Sequence, residues 1–148
     1  MAIADRRAET TWEGAITEGS GTLALVSSGA ASLPVTWASR VERPDGRTSS
    51  EELLAAAHAS CYAMVLSGTL GRAGSPPERL HVTAVVSLNP EEGGGFEVTD
   101  SALDVRGVVP GLGPAAFQEL ADTAEKGCPI SNAIRGNVTI TIQATLEG

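Results

Sequence analysis

The 148-residue chain has few cysteines, few aromatic residues and little positive charge. Its two cysteines, Cys61 and Cys128, are too sparse for a disulfide-stapled secreted fold, and no CxxC or His/Cys cluster has zinc-ligand spacing. Aromatic residues make up 3% of the chain, which disfavours base-stacking surfaces. Ten basic residues against 18 acidic ones give a net charge of −8. We therefore predict no nucleic-acid partner and no anionic membrane partner, because both require positive charge.

The N-terminal residues also lack the apolar segment of a signal peptide. This absence predicts a cytoplasmic protein whose two thiols start in the reduced state. Hydrophobic residues make up 42% of the chain and charged residues 19%, a balance that excludes a disordered chain. The length is typical of one domain, so we predict a single domain over residues 1–148 with one buried core.

Alternating apolar residues and turn signals predict an α+β fold with a mostly antiparallel sheet. A change of phase in the fifth strand predicts a bulge near Asp100–Ala102. Pro114 is suited to the first turn of a helix that ends at Gly127. The predicted strands cover about 9–16, 21–27, 35–41, 80–88, 96–108 and 138–146, and the predicted helices cover 48–72, 114–127 and a short stretch from 128.

The longest predicted helix is apolar on every side. After a capping box at Ser49 and Glu52, or at Thr48 and Glu51, the stretch 53–67 has only one histidine and two serines as non-apolar residues. This apolar run is shorter than the ~20 residues that a bilayer crossing needs. A helix of this kind is buried all round, and a small domain cannot easily surround it alone. We therefore predict a sheet packed on a long buried helix, with a second subunit covering part of the helix.

The two cysteines are the candidate chemical groups. Cys61 lies in the middle of the long helix, where the simplest interpretation is a small buried hydrophobe. Cys128 precedes Pro129, so it is predicted to be the N-cap of the short helix. Free backbone N–H groups and the helix dipole would then stabilise its thiolate, although a cap without redox function has the same sequence.

Three other side chains are candidates for activating a thiol. Arg40, predicted on the third strand, could stabilise an anion, although lone strand arginines are usually solvated. Glu51 precedes Cys61 by ten residues, ~15 Å of helix rise, so it could serve that thiol only from an antiparallel partner chain. His58 faces the same side as Cys61 and could act as its base, but we favour a hydrogen-bonded core histidine.

Four stretches together resemble one family. They are Trp12-Glu13-Gly14 with Gly19-Ser20-Gly21-Thr22; the run from Glu51 to Cys61 ending in His-Ala-Ser-Cys; Ala63 to Ser67; and Lys126-Gly127-Cys128-Pro129-Ile130-Ser131. This pattern is similar to that of the OsmC/Ohr family of thiol-dependent organic hydroperoxide reductases, and the likeness spans nearly the whole chain. Ser49-Ser50 stand where family members often have Asn-Pro.

The resemblance implies an intertwined homodimer with active sites at the subunit interface. Cys61 would be the peroxidatic thiol and Cys128 the resolving thiol, with Arg40 and Glu51 as the pair that activates Cys61. The substrate would be an organic hydroperoxide. The reductant would be an external dithiol, on a lipoylated or a thioredoxin-like protein, and no metal or organic cofactor is needed.

Two other functions fit the same residues, and so does a structural dimer with inert thiols. The dimer could be a redox or ligand sensor with a regulatory disulfide, in which case it would not turn over with a dithiol. Alternatively, Cys61 and His58 could catalyse acyl transfer.

Overall fold

The chain begins with an antiparallel sheet of three short strands in the order β1-β2-β3. These are β1 (Glu9–Glu13), β2 (Ser20–Ala24) and β3 (Ser32–Val35). The structure is a computed structural model that describes residues 1–148. The chain divides into two units, residues 1–53 and 54–148. The expected single domain over the whole chain stays a prediction.

The strand predicted over 35–41 is wrong beyond Val35. Residues Trp37–Val41 form a short helix, α1. The Ser39 N–H donates to the Thr36 hydroxyl and the Thr36 N–H donates to the Ser39 hydroxyl, both at 3.0 Å. This reciprocal cap satisfies N–H groups at the helix start, and it outweighs the strand preference of the apolar residues around it. Arg40 therefore lies on a helix and not on a strand.

The long helix, α2, runs from Ser50 to Arg72. Its start agrees with the predicted cap, because the Glu52 N–H donates to the Ser49 hydroxyl at 3.1 Å. By length and hydropathy it is the one helix that could cross a membrane. However, one of its faces packs into the core of residues 54–148.

Residues 54–148 contain a second sheet in the order β4-β5-β6. β4 (Arg79–Pro90) and β5 (Phe96–Val108) are antiparallel, and β6 (Thr139–Leu146) is parallel to β5. A parallel pair needs a crossover, which here consists of α3 (Pro114–Gly127) and α4 (Pro129–Ile134). The fold is thus α+β with mostly antiparallel pairing, but it has two small sheets where the sequence predicted one.

The predicted bulge is present, but it lies slightly nearer the N-terminus than expected. Ser87 pairs with Asp100, whereas Leu88 pairs with Val98, so Thr99 is the extra residue of β5. Beyond this point the alternation of β5 places Ser101, Leu103 and Val105 on the buried face. The bulge therefore sets which side chains of β5 face the core.

The core of this second unit lies between α2, β5 and α3. The Phe117 ring packs closely on Gly107, where a Cβ atom would lie 2.7 Å from its Cζ. The Tyr62 hydroxyl donates to the Ala121 carbonyl at 2.8 Å and fastens α2 to α3. The buried members are Tyr62, Leu66, Leu70, Leu103, Val105, Val109, Phe117, Ala121, Ala124 and Cys128.

Within one chain, α2 is not buried on every side as the sequence predicted. Its opposite face carries exposed residues at helical spacing: Glu52, Ala56, Ser60, Met64, Ser67 and Gly71. Met64 is the large apolar member of this face and is 69% exposed.

Candidate active site

The two cysteine sulfurs lie 3.5 Å apart, although the residues are 67 positions apart in the chain. Cys61 sits in the middle of α2 and is partly exposed, whereas Cys128 is fully buried between α3 and α4. Both thiols are free. A disulfide has an S–S length of about 2.05 Å, so a closure of about 1.5 Å would join them. The packing of α2 against the α3–α4 corner therefore brings the two candidate thiols within reach of each other.

Cys128 ends α3 and begins α4, as the sequence predicted. Its backbone is extended, with φ −78 and ψ 117, and Pro129 follows at the first position of α4. The expected contact of its sulfur with free N–H groups is wrong, because the side chain makes no capping hydrogen bond. Instead, the Ile130 N–H in the first turn of α4 donates to the sulfur of Cys61. The N-terminus of α4 therefore interacts with the sulfur of Cys61 and not with that of Cys128.

Three influences act on the pKa of the Cys61 thiol. Burial raises this pKa most, the hydrogen bond from the Ile130 N–H lowers it, and the neighbouring Cys128 thiol raises it further. The net direction is upward. Hence the surroundings of Cys61 in residues 54–148 favour the thiol, and a reactive thiolate needs an additional positive charge.

Arg40 and Glu51 form a two-pronged ion pair within residues 1–53. The Arg40 Nη2 donates to Glu51 Oε1 at 2.9 Å, and its Nε donates to Oε1 and Oε2 at 3.1 and 3.3 Å. The Glu51 side chain is 9% exposed and that of Arg40 is 36% exposed. A buried carboxylate therefore holds a guanidinium whose Nη1 lies outside the pair. This arrangement can present a fixed positive charge to a partner.

His58 is completely buried, as the sequence favoured. Its Nδ1 lies 2.6 Å from the Ser101 hydroxyl of β5, and its Nε2 lies 2.7 Å from the Ser131 hydroxyl of α4. Burial lowers its pKa, and the charge of Glu125 opposes this effect only in part. The acyl-transfer alternative loses its support here, because both ring nitrogens are bonded to serines and neither is left for Cys61.

The site contains residues to which sequence reasoning gave no role. Ile130 and Ser131 lie inside the Lys126–Ser131 motif, which was their only signal, and Ser101 had none. Their roles depend on long-range packing, since Ser101 and Ser131 lie 43 and 73 residues from His58. No group of three or more His, Cys, Asp or Glu side chains could hold a metal ion.

Comparison with known proteins places this geometry in a family. Residues 43–143 match the family model for OsmC-like proteins. Peroxiredoxin OsmC of Escherichia coli is 36% identical over 138 residues, covering 93% of this chain and 95% of that protein. An organic hydroperoxide resistance protein of Xanthomonas axonopodis is 33% identical over 100 residues, covering 64% of this chain and 65% of that protein.

Solved structures agree with this placement. An organic hydroperoxide resistance protein OsmC from Legionella pneumophila has a TM-score of 0.76 at 26% identity, covering 98% of this chain and 99% of that chain. OhrB of Bacillus subtilis has a TM-score of 0.75 at 25% identity, covering 94% and 98%. The names of the curated relatives support a peroxide-related redox function and a peroxidase type of enzyme. By sequence and by fold, the chain belongs to the OsmC/Ohr family.

Proposed function

We propose that this protein is a cysteine-based peroxidase that reduces organic hydroperoxides to alcohols in the cytoplasm. The observation that carries the proposal is the 3.5 Å separation of the Cys61 and Cys128 sulfurs. Cys61 is the partly exposed member and is therefore the one that a substrate can reach. Cys128 is buried behind it and serves as the resolving thiol.

The reaction proceeds in three steps. The Cys61 thiolate attacks the distal oxygen of the hydroperoxide, the O–O bond breaks, and the alkoxide leaves with a proton as the alcohol. Cys61 is then a sulfenic acid, and the Cys128 sulfur displaces its hydroxyl group as water to form a disulfide. An external dithiol, on a lipoylated or a thioredoxin-like protein, reduces this disulfide by two successive exchanges.

Activation of Cys61 is assigned to Arg40, with Glu51 as its positioning residue. Burial raises the pKa of Cys61, so a fixed cation is required to make the thiolate at neutral pH. Because α2 is continuous from Ser50 to Arg72, Glu51 lies ~15 Å along the helix axis from its own Cys61. The Arg40–Glu51 pair therefore acts from a second copy of the chain, and the active enzyme is a homodimer.

The exposed face of α2 is the proposed contact between the two copies. It carries Met64, which is 69% exposed, at helical spacing with Ala56, Ser60 and Ser67. Small residues on either side of an exposed methionine allow a second helix to approach closely. Apolar walls at such an interface favour an organic hydroperoxide over hydrogen peroxide, since an alkyl group gains burial energy there.

Steady-state peroxide reduction tests this function. Cumene hydroperoxide, tert-butyl hydroperoxide and hydrogen peroxide are compared, with dithiothreitol or dihydrolipoamide as the reductant. Cys61→Ser should abolish turnover. Cys128→Ser should lower turnover and accumulate the Cys61 sulfinic acid, because its sulfenic acid can react only with the external dithiol or with a second hydroperoxide. Cys61→Ser with wild-type turnover would contradict the proposal.

A second candidate function is a redox sensor with a slow regulatory disulfide. The raised pKa of Cys61 favours it, because a thiol with a raised pKa is oxidised slowly. The sensor forms the Cys61–Cys128 disulfide with stoichiometric peroxide but does not turn over with any dithiol. The same assay therefore separates the two functions.

A further inference from the structure

We propose that His58 is a positioning residue that holds α4, and with it Cys128, at bonding reach of Cys61. This inference rests on the proposed function only in giving the disulfide a catalytic purpose. The linkage itself is visible in the hydrogen bonds of His58 to Ser101 and Ser131.

The first turn of α4 carries the two groups that act at the thiol site, which are the side chain of Cys128 and the backbone N–H of Ile130. Cys128 is its N-cap, and the Ile130 N–H donates to the sulfur of Cys61. The carbonyl of Cys128 accepts from the Asn132 N–H at 2.9 Å, so the turn forms one hydrogen-bonded unit. Ser131 belongs to this turn and is its buried tie to α2. A shift of Ser131 therefore moves the Cys128 sulfur and the Ile130 donor together.

His58 is suited to act as a spacer because its ring is rigid and both nitrogens are engaged. It lies on α2 three residues before Cys61, so it ties α4 to the same stretch of helix that carries the first sulfur. Ser101 on β5 fixes the opposite side of the ring. The ring therefore cannot turn away from Ser131 without breaking a second buried hydrogen bond.

The charges around His58 favour the neutral ring. Hydroxyl groups face it from β5 and α4, and the nearby charged group is Glu125 on α3. Arg135 pairs with Glu125 at 2.6 Å. A neutral imidazole has one donor and one acceptor nitrogen, so one serine accepts from it and the other donates to it. Both bonds can therefore be satisfied without a buried charge.

The step that this arrangement favours is the joining of the sulfurs. The Cys61 sulfenic acid reacts either with the Cys128 thiol, releasing water, or with a second hydroperoxide, which gives a sulfinic acid and an alcohol. A well-placed Cys128 makes the first reaction faster than the second.

Two serine variants form a matched pair for the test. Ser131→Ala and Ser101→Ala each remove one hydroxyl that is bonded to the same ring, but only Ser131 lies on the helix of Cys128. The disulfide is first measured without peroxide, by equilibrating each protein with reduced and oxidised glutathione. We expect Ser131→Ala to lower the equilibrium constant for the Cys61–Cys128 disulfide about tenfold, the size of one net hydrogen bond, and Ser101→Ala to change it less than about threefold.

The second measurement uses excess cumene hydroperoxide and mass spectrometry. The sulfinic acid of Cys61 should increase in Ser131→Ala, whereas Ser101→Ala should stay near the wild-type ratio of disulfide to sulfinic acid. General destabilisation would affect both variants alike, so it would not produce this difference.

Substitutions at His58 give an independent pair in case Ser131→Ala does not fold. Glutamine places its amide nitrogen near the position of Nε2 and keeps the contact to Ser131, whereas asparagine places its amide near Nδ1 and keeps the contact to Ser101. His58→Gln should therefore retain more disulfide in the glutathione equilibrium than His58→Asn.

Equal changes within either pair would overturn the positioning role. A wild-type protein that forms the disulfide with glutathione but does not reduce hydroperoxides would instead contradict the proposed function. The serine comparison would still decide the role of His58 in that case.

Discussion

Oxidation of the Cys61–Cys128 pair should make the protein markedly more stable. The two residues are separated by 67 positions, so the disulfide would close a large loop in the unfolded chain. The chain-entropy relation gives about 4 kcal/mol for a loop of this size. Because the two sulfurs are already 3.5 Å apart in the folded state, little of this stabilisation should be lost to distortion.

Urea unfolding of the oxidised and reduced proteins measures this difference. Both samples are kept at the same protein concentration, because the stability of the proposed dimer would depend on concentration. The oxidised midpoint should be higher, and Cys128→Ser, treated with the same oxidant, should show no such increase. Equal or lower stability of the oxidised protein would refute the reasoning, since it would mean that bonding the sulfurs strains the native fold.

The same free energy also predicts how much more readily the disulfide forms in the folded protein. By a thermodynamic cycle, a disulfide that stabilises the fold by about 4 kcal/mol forms about 1,000 times more readily in the native protein than in the unfolded chain. The glutathione equilibrium of native protein and of protein in concentrated urea should differ by that factor.

Three further predictions concern the other features of the site. Arg40→Lys keeps the charge but loses the two-pronged bond to Glu51. The pKa of Cys61 should therefore rise, and oxidation of Cys61 by cumene hydroperoxide should slow about tenfold for each unit of that rise. Arg43→Lys in the exposed turn should behave as wild type. Met64→Asp places a charge on the exposed face of α2 and should shift sedimentation from dimer to monomer, whereas Val85→Asp on β4 should not; a dimeric Met64→Asp protein would contradict the proposed interface. The pKa of His58 in the folded state lies below its ordinary value of 6.5. Between these two pKa values the unfolded chain therefore binds more protons than the folded chain. The free energy of unfolding should thus be at its full value above about pH 6.5 and should decrease as the pH falls below it, with a smaller decrease in His58→Gln; an identical pH dependence in both proteins would contradict this assignment.

Local signals made several elements predictable from the sequence. The bounds of α3 agree with the prediction. Pro114 is its first residue, and Cys128 leaves the helical conformation because it precedes Pro129. The α1 helix was missed because its apolar residues also fit a strand. The capping pair of Thr36 and Ser39 was the signal that distinguishes the two.

The parts that could not be predicted depend on distant packing. The parallel pairing of β6 with β5 is fixed by the crossover through α3 and α4, and nothing in the local pattern of β6 encodes it. Cys128 was correctly expected at the start of a helix, yet the N–H of that helix serves Cys61, because only the folded chain decides which sulfur lies in front of Ile130. The partners of His58 were hidden for the same reason.

The unequal exposure of the two sulfurs gives the proposed catalytic cycle a direction. Once the disulfide has formed, an incoming dithiol can approach only the outer of its two sulfur atoms, because the inner one is sealed by the protein interior. The transient mixed disulfide with the reducing protein would therefore always form on Cys61 of α2. The peroxide and the reductant would reach the site through the same opening.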